Sequence, residues 1–126
     1  MVKIRTAKSK GSSHEYDCQE SLQPSYQDIY RTSERGFQMQ YDLRSDIHKS
    51  VFECKRLAGI SWNQAVAYYK KLESVAPDNY LCFLLFRSNR QPCLVMTREG
   101  NSLVVKPFND YFGLEFKKHN STRQWN

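Results

Sequence analysis

Residues 51–73, VFECKRLAGISWNQAVAYYKKLE, decide how the chain folds, because they contain its clearest helix signals and a possible joint between two helices. Leu43, Ile47, Val51 and Cys54 fall at i, i+4, i+8 and i+11, and Leu57 and Ala58 continue the stripe. That spacing predicts a helix over about residues 40–58. Gly59 suits the left-handed position that closes a helix. Ser61 then offers an N-cap hydroxyl, and Trp62, Ala65, Tyr69, Leu72 and Ala76 form an apolar stripe. A second helix is expected from Trp62 to about Val75, ended by Pro77-Asp78-Asn79.

Beyond this pair the period changes. Tyr80–Arg87 (YLCFLLFR) is a short apolar run, Ser88–Gln91 a turn and Pro92–Thr97 (PCLVMT) a second run. Gly100-Asn101 makes another turn before Ser102–Phe108 (SLVVKPF), whose Pro107 is tolerated on a sheet edge. Tyr111–Lys117 is a candidate fourth strand. The expected fold class is α+β: two short helices followed by a three- to four-stranded antiparallel meander, over residues 39–126.

Upstream, residues 14–38 are polar and interrupted by Pro24, with no sustained period, so an irregular segment is expected. Tyr16, Tyr26, Tyr30 and Tyr41 recur there among acids, as kinase substrates or docking points, or as aromatics pinning the segment to a core. Residues 1–13 hold Lys3, Arg5, Lys8 and Lys10 and no acid. Such a stretch buries too little apolar surface to offset its ordering entropy, so a mobile basic arm is expected. It would serve either as a contact for nucleic acid or as a solubilising tail.

The chain has 126 residues, 40% of them apolar, which suits one small domain. Nineteen Lys and Arg against thirteen Asp and Glu give a net charge of +6. Residues 14–50 are acidic, with four bases against seven acids, so the positive charge lies in the arm and in residues 51–126. No run of residues is apolar and long enough to span a membrane, and the N-terminus lacks the apolar core of a signal peptide. A soluble intracellular protein, cytoplasmic or nuclear, is expected. Cys18, Cys54, Cys82 and Cys93 form no CxxC pair, so free thiols and no metal site are expected. The Asn120-Ser121-Thr122 sequon carries no weight without a secretory route. There is no glycine-rich phosphate loop, HExxH, GxSxG or paired-carboxylate signature, so no enzymatic activity, catalytic residue or cofactor is expected. The sequence carries no signal for an oligomeric state.

The stretch VFECKRLAGISWNQAVAYYKKLE resembles the helix-turn-helix DNA-binding families, with Ala58-Gly59-Ile60-Ser61 in place of their turn. The resemblance implies that the second helix presents Asn63 and Gln64 to base edges, since their amides pair with adenine. Ser61, Lys70 and Lys71, with Lys55 and Arg56 on the preceding helix, would meet phosphates, and Arg87 and Arg90 would join them from a wing. A nucleic-acid-binding regulator follows, its partner DNA rather than RNA. The structural alternative is an αα-corner packed on the sheet.

The same region is also similar to the SH2 domain, the phosphotyrosine-binding module. Ile60-Ser61-Trp62-Asn63-Gln64-Ala65 is similar to the start of that family's first helix, and Leu84-Leu85-Phe86-Arg87-Ser88 to its arginine-bearing strand. By this resemblance Arg87 is the bidentate phosphate ligand, and the partner is a protein. Only 18 residues follow Phe108, so upstream residues would have to supply the family's second helical layer.

Overall fold

The computed structural model describes residues 7–36 and 39–118. Its elements are α1 (Ala7–Leu22), β1 (Tyr30–Arg31), a 3-10 turn (Thr32–Arg35), β2 (Leu43–Ser45), β3 (Ser50–Arg56), α2 (Trp62–Val75), β4 (Leu81–Arg87), β5 (Leu94–Glu99), β6 (Ser102–Pro107) and α3 (Phe108–Phe112). The class is α+β. The six strands form one sheet in the order β1-β2-β3-β4-β5-β6. The β3–β4 pair is parallel and the other pairs antiparallel, so the sheet is mixed rather than a three- to four-stranded meander. Parallel neighbours need a crossover, and α2 supplies it.

The helix expected over residues 40–58 is instead the hairpin β2–β3. Asp46–Lys49 turn the chain, with Lys49 at φ 46°, and Ile47 is 74% exposed although the helical stripe would bury it. Phe52, which lies off that stripe, is fully buried and stacks on Phe83 at 5.2 Å between centroids. A strand covered on both faces loses its apolar-polar alternation, which let a chance 3.6-residue spacing imitate a helix. The first helix of the helix-turn-helix resemblance is therefore absent.

The second expected helix is present as α2. Ser61 caps it in a capping box with Gln64, and Ala65, Tyr69 and Leu72 are buried against the sheet while Trp62 is exposed. Strands β4, β5 and β6 match the three expected runs, with Pro107 ending the edge strand β6. The fourth expected strand is α3 followed by an irregular segment to Lys118.

Helix α1 begins in the stretch expected to be a mobile arm and continues into the one expected to be irregular. Residues 1–6 of that arm, and the sequon at 120–122, lie outside the described residues. The buried face of α1 is His14, Asp17, Cys18, Ser21 and Leu22, at i, i+3, i+4, i+7 and i+8. That is a helical stripe, but three of its five members are polar, so hydrophobic periodicity passes over it.

Two cores result, one on each face of the sheet. Val51, Leu84, Phe86 and Met96 pack under α2 with Ala65, Tyr69 and Leu72. Phe52, Cys54, Phe83, Leu85 and Val95 pack with Cys18 and Leu22 of α1 and with Phe108 of α3. The layers are thus α2, sheet, and α1 with α3.

Candidate functional site

Alternation along β4 puts Phe83, Leu85 and Arg87 on the face covered by α1, and alternation along β3 puts Phe52, Cys54 and Arg56 there too. The two strands are in register, Arg56 opposite Arg87. An apolar face thus ends in two adjacent guanidinium groups.

Helix α1 crosses this end of the sheet and contributes polar groups. The His14 imidazole, through Nε2, donates to the Leu85 carbonyl at 3.2 Å. Burial lowers the His14 pKa to about 4; the bond to Leu85 opposes the shift, and Arg87 and Arg56 add to it. His14 is therefore neutral near pH 7 and adds no charge to the cluster. Asp17 meets Arg87 through one contact, Oδ2 to Nη2 at 3.5 Å, with both side chains 2% exposed. Ser21 Oγ accepts from the Lys117 amide at 2.7 Å, fixing the C-terminal segment against α1.

The Nε–H groups of Arg87 and Arg56 are buried and meet no acceptor among the described residues. Leaving a buried charged donor unpaired costs about 1–3 kcal/mol or more. Burial and the neighbouring Arg56 lower the Arg87 pKa, against the opposing pull of Asp17. This spot therefore carries more positive charge than Asp17 alone balances.

Arg87 opens onto a cleft of about 450 Å³ between the β4–β5 turn, the start of α3 and the segment ending at Lys118. Pro92, Pro107, Phe108 and Phe116 give it apolar walls. The Phe116 ring lies 5.7 Å from the Arg87 guanidinium carbon. Arg90, Lys118, Asp110 and Glu115, all exposed, also line it and put both signs of charge at its rim. Arg90 sits at φ 63° in the exposed β4–β5 turn. The arrangement suits a compact anion on an apolar arm, because the apolar walls match the arm while the Arg87 guanidinium supplies directed donors.

The residues singled out in the sequence fall into two groups. Arg87 and Arg90 line the cleft, and Arg56, which does not line it, is the neighbour of Arg87 across the β3–β4 ladder. Asn63, Lys70 and Lys71 lie exposed on α2, which covers the opposite face. Ser61 and Gln64 are engaged in the cap: Gln64 Oε1 accepts from the Ser61 amide at 3.0 Å, and Ser61 Oγ accepts from the Gln64 amide at 3.2 Å. Lys55 lies over the Tyr68 ring at 4.7 Å, on the α2 side. Lys55 and Arg56 thus point to opposite faces, as neighbours on a strand must and as neighbours on a phosphate-facing helix would not. The two segments that carry the SH2 resemblance are likewise separated: α2 and Arg87 are on opposite faces of the sheet.

Asp17 and His14, unremarked in the sequence, join the arginine group because α1 is a helix. Their three-residue offset is the signal that marks them. A second polar cluster lies outside the cleft lining. Glu15 of α1 accepts from Arg31 at 3.1 and 3.2 Å, and Asp42 Oδ2 accepts from the Cys54 amide at 2.8 Å. Burial raises the Glu15 pKa to about 7, helped by Asp42 and opposed by Arg31. Burial likewise raises Asp42 to about 7, helped by Glu53 and opposed by the hydrogen bonds from Glu15 and the Cys54 amide.

Cys18, Cys54, Cys82 and Cys93 are free and buried, and burial raises the thiol pKa of Cys54 to about 12. Among the described residues, no group of three or more His, Cys, Asp and Glu is arranged to hold a metal ion, and no helix is long and apolar enough to cross a membrane. Comparison with known proteins finds no matching family model, no matching curated protein and no matching solved structure.

Proposed function

We propose that the chain is a non-catalytic interaction module that receives a phosphate-bearing side chain of a partner protein in the cleft ending at Arg87. The observation that carries this reading is Arg87 itself, only 3% exposed, lining the cleft and with its Nε–H meeting no acceptor among the described residues. A nucleic-acid phosphodiester lies on the surface of its own backbone and is met by exposed cations. A guanidinium at the bottom of a cleft is reached instead by a group on an extended arm, and an aromatic arm fits walls made of Phe108, Phe116 and two prolines.

The test is a calorimetric titration with one peptide in phosphotyrosine and unmodified tyrosine forms, for the native chain and Arg87→Lys. Selective binding of the phosphorylated form, lost in Arg87→Lys, supports the reading, because an ammonium does not reproduce the guanidinium fork. Equal binding of the two peptides overturns it.

A second reading keeps a nucleic-acid partner on the opposite face. It is favoured by the exposure of Asn63, Lys70 and Lys71 on α2, with Lys55 of β3 on the same side of the sheet over Tyr68. On this reading the chain is a DNA-binding accessory protein that contacts backbone phosphates without a helix-turn-helix. Its affinity for duplex DNA would fall steeply with salt and drop further in Lys70→Glu/Lys71→Glu. Salt-independent or undetectable binding removes it.

A further inference from the structure

We infer that the cleft selects a doubly charged phosphomonoester, held by Arg87 and Arg56 together, over a singly charged anion of the same shape; this rests on the reading of Arg87 as the anion receptor. The parallel register makes Arg56 the lateral neighbour of Arg87 on the face beneath α1, across a strand spacing of about 4.8 Å. Each guanidinium has a buried Nε–H without an acceptor among the described residues. Among the described residues Arg87 has one long contact to a carboxylate, Asp17 at 3.5 Å through Nη2, and its Nε–H is not engaged by it. Two guanidiniums beside one buried carboxylate and a neutral imidazole leave an excess of positive charge.

A phosphomonoester supplies close to two negative charges at pH 7 and three acceptor oxygens, enough to meet both Nε–H groups. A sulfate ester has the same shape and a single charge. It can satisfy Arg87 but balances less of the excess that Arg56 adds. Arg56 does not line the cleft itself but is partly exposed, so its guanidinium can turn toward an anion at Arg87 while Arg87 stays fixed. Asp110 and Glu115 at the rim work against an extended polyanion and leave the preference to the compact group at the base.

The experiment compares three forms of one neutral peptide, bearing tyrosine, sulfotyrosine or phosphotyrosine, by calorimetry against the full chain at pH 7.5. The phosphorylated form is expected to bind roughly tenfold or more tightly than the sulfated form, the effect of an added charge-assisted hydrogen bond. Arg56→Gln is expected to bring the phosphorylated form down to the affinity of the sulfated one, and to leave the sulfated one little changed. Arg56→Lys, which keeps the charge but not the fork, is expected to lose part of the preference and covers the case in which Arg56→Gln does not fold.

Equal affinity for the two anionic peptides in the native chain overturns the selectivity while leaving Arg87 as receptor. The same follows if Arg56→Gln weakens both by one factor. Failure of both anionic peptides to bind overturns the Arg87 reading as well.

Discussion

The pair Arg87–Asp17 shows how a single buried contact limits what its surroundings can be. Both side chains are almost wholly out of water, yet the contact between them is 3.5 Å long and the Arg87 Nε–H meets no acceptor among the described residues. Transferring both charges from water costs several kcal/mol per ion, and a single long contact recovers only part of it. Removing one partner leaves the other charge stranded, so Asp17→Asn is expected to lower the unfolding free energy by about 3 kcal/mol. Replacing both, as Asp17→Leu/Arg87→Met, is expected to restore most of that loss, because well-packed apolar residues of similar volume match or exceed a poor buried pair. Urea denaturation of the native chain and the two variants measures both effects. If the double variant is as unstable as Asp17→Asn, the pair is a net stabiliser and the stability argument for a strained site is wrong. A site kept at a cost to stability is what a binding role for Arg87 would produce.

Strand β3 is the element on which the sequence and the structure part. As a helix, residues 40–58 would bury Ile47 and leave Phe52 off the stripe; as a strand they bury Phe52 completely and expose Ile47. Phe52→Ala is therefore expected to cost about 3–5 kcal/mol, and Ile47→Ser to change stability by less than about 0.5 kcal/mol. A reversed order in denaturant unfolding would restore the helical reading. The elements read correctly in the sequence had local physical signatures. Ser61 and Gln64 announce the start of α2, and Ser61→Ala is expected to cost about 1 kcal/mol there. The run of β4 is bounded by Asp78-Asn79 and Ser88-Asn89 and stands out as a core strand. The elements that were missed lacked such marks. The turn at Asp46–Lys49 has neither Gly nor Pro, and α1 buries His14, Asp17 and Ser21 where the eye looks for Leu or Ile. The site was legible to the same extent: Arg87 is visible at the end of its strand, while Arg56 and Asp17 join it only once β3 is a strand and α1 a helix.

At the scale of the whole molecule, α1 is fastened differently from everything else. The β3–β4 pair and α2 are held by apolar packing and a full hydrogen-bond ladder, whereas the described side chains of α1 contribute Cys18 and Leu22 to the core and add polar contacts through His14, Glu15 and Ser21. Opening of α1 is therefore expected to need less free energy than global unfolding, as read from native-state hydrogen exchange of its amides against those of Leu84 and Leu85. Its docking is also tied to pH through two opposing sets of groups. Glu15 and Asp42 are raised to about 7 in the folded chain; releasing α1 returns Glu15 toward its ordinary value near 4 and uncovers Asp42, which falls part of the way toward its own while Glu53 stays beside it. The released state loses those protons first, so their contribution to docking falls as pH rises from about 4 to 7 and is level above that. His14 is lowered to about 4 from an ordinary value near 6.5, so its contribution is full above about 6.5 and is lost as pH falls toward 4. The two sets oppose each other in the same window, and two carboxyls against one imidazole should leave a net weakening of α1 docking between pH 5 and 7. With the carboxyls sharing a proton and partly screened by water, the net change is on the order of 1 kcal/mol. Asp42→Asn takes one carboxyl away and relieves Glu15 of a neighbour that raises its pKa, so the opening free energy of α1 should then stay level or rise across that range. The same slope in Asp42→Asn and the native chain would separate α1 from the carboxyl cluster. A slope that changes as expected makes α1, with Asp17 on its inner face, an element whose hold on Arg87 is set by the charge of the sheet edge beside it.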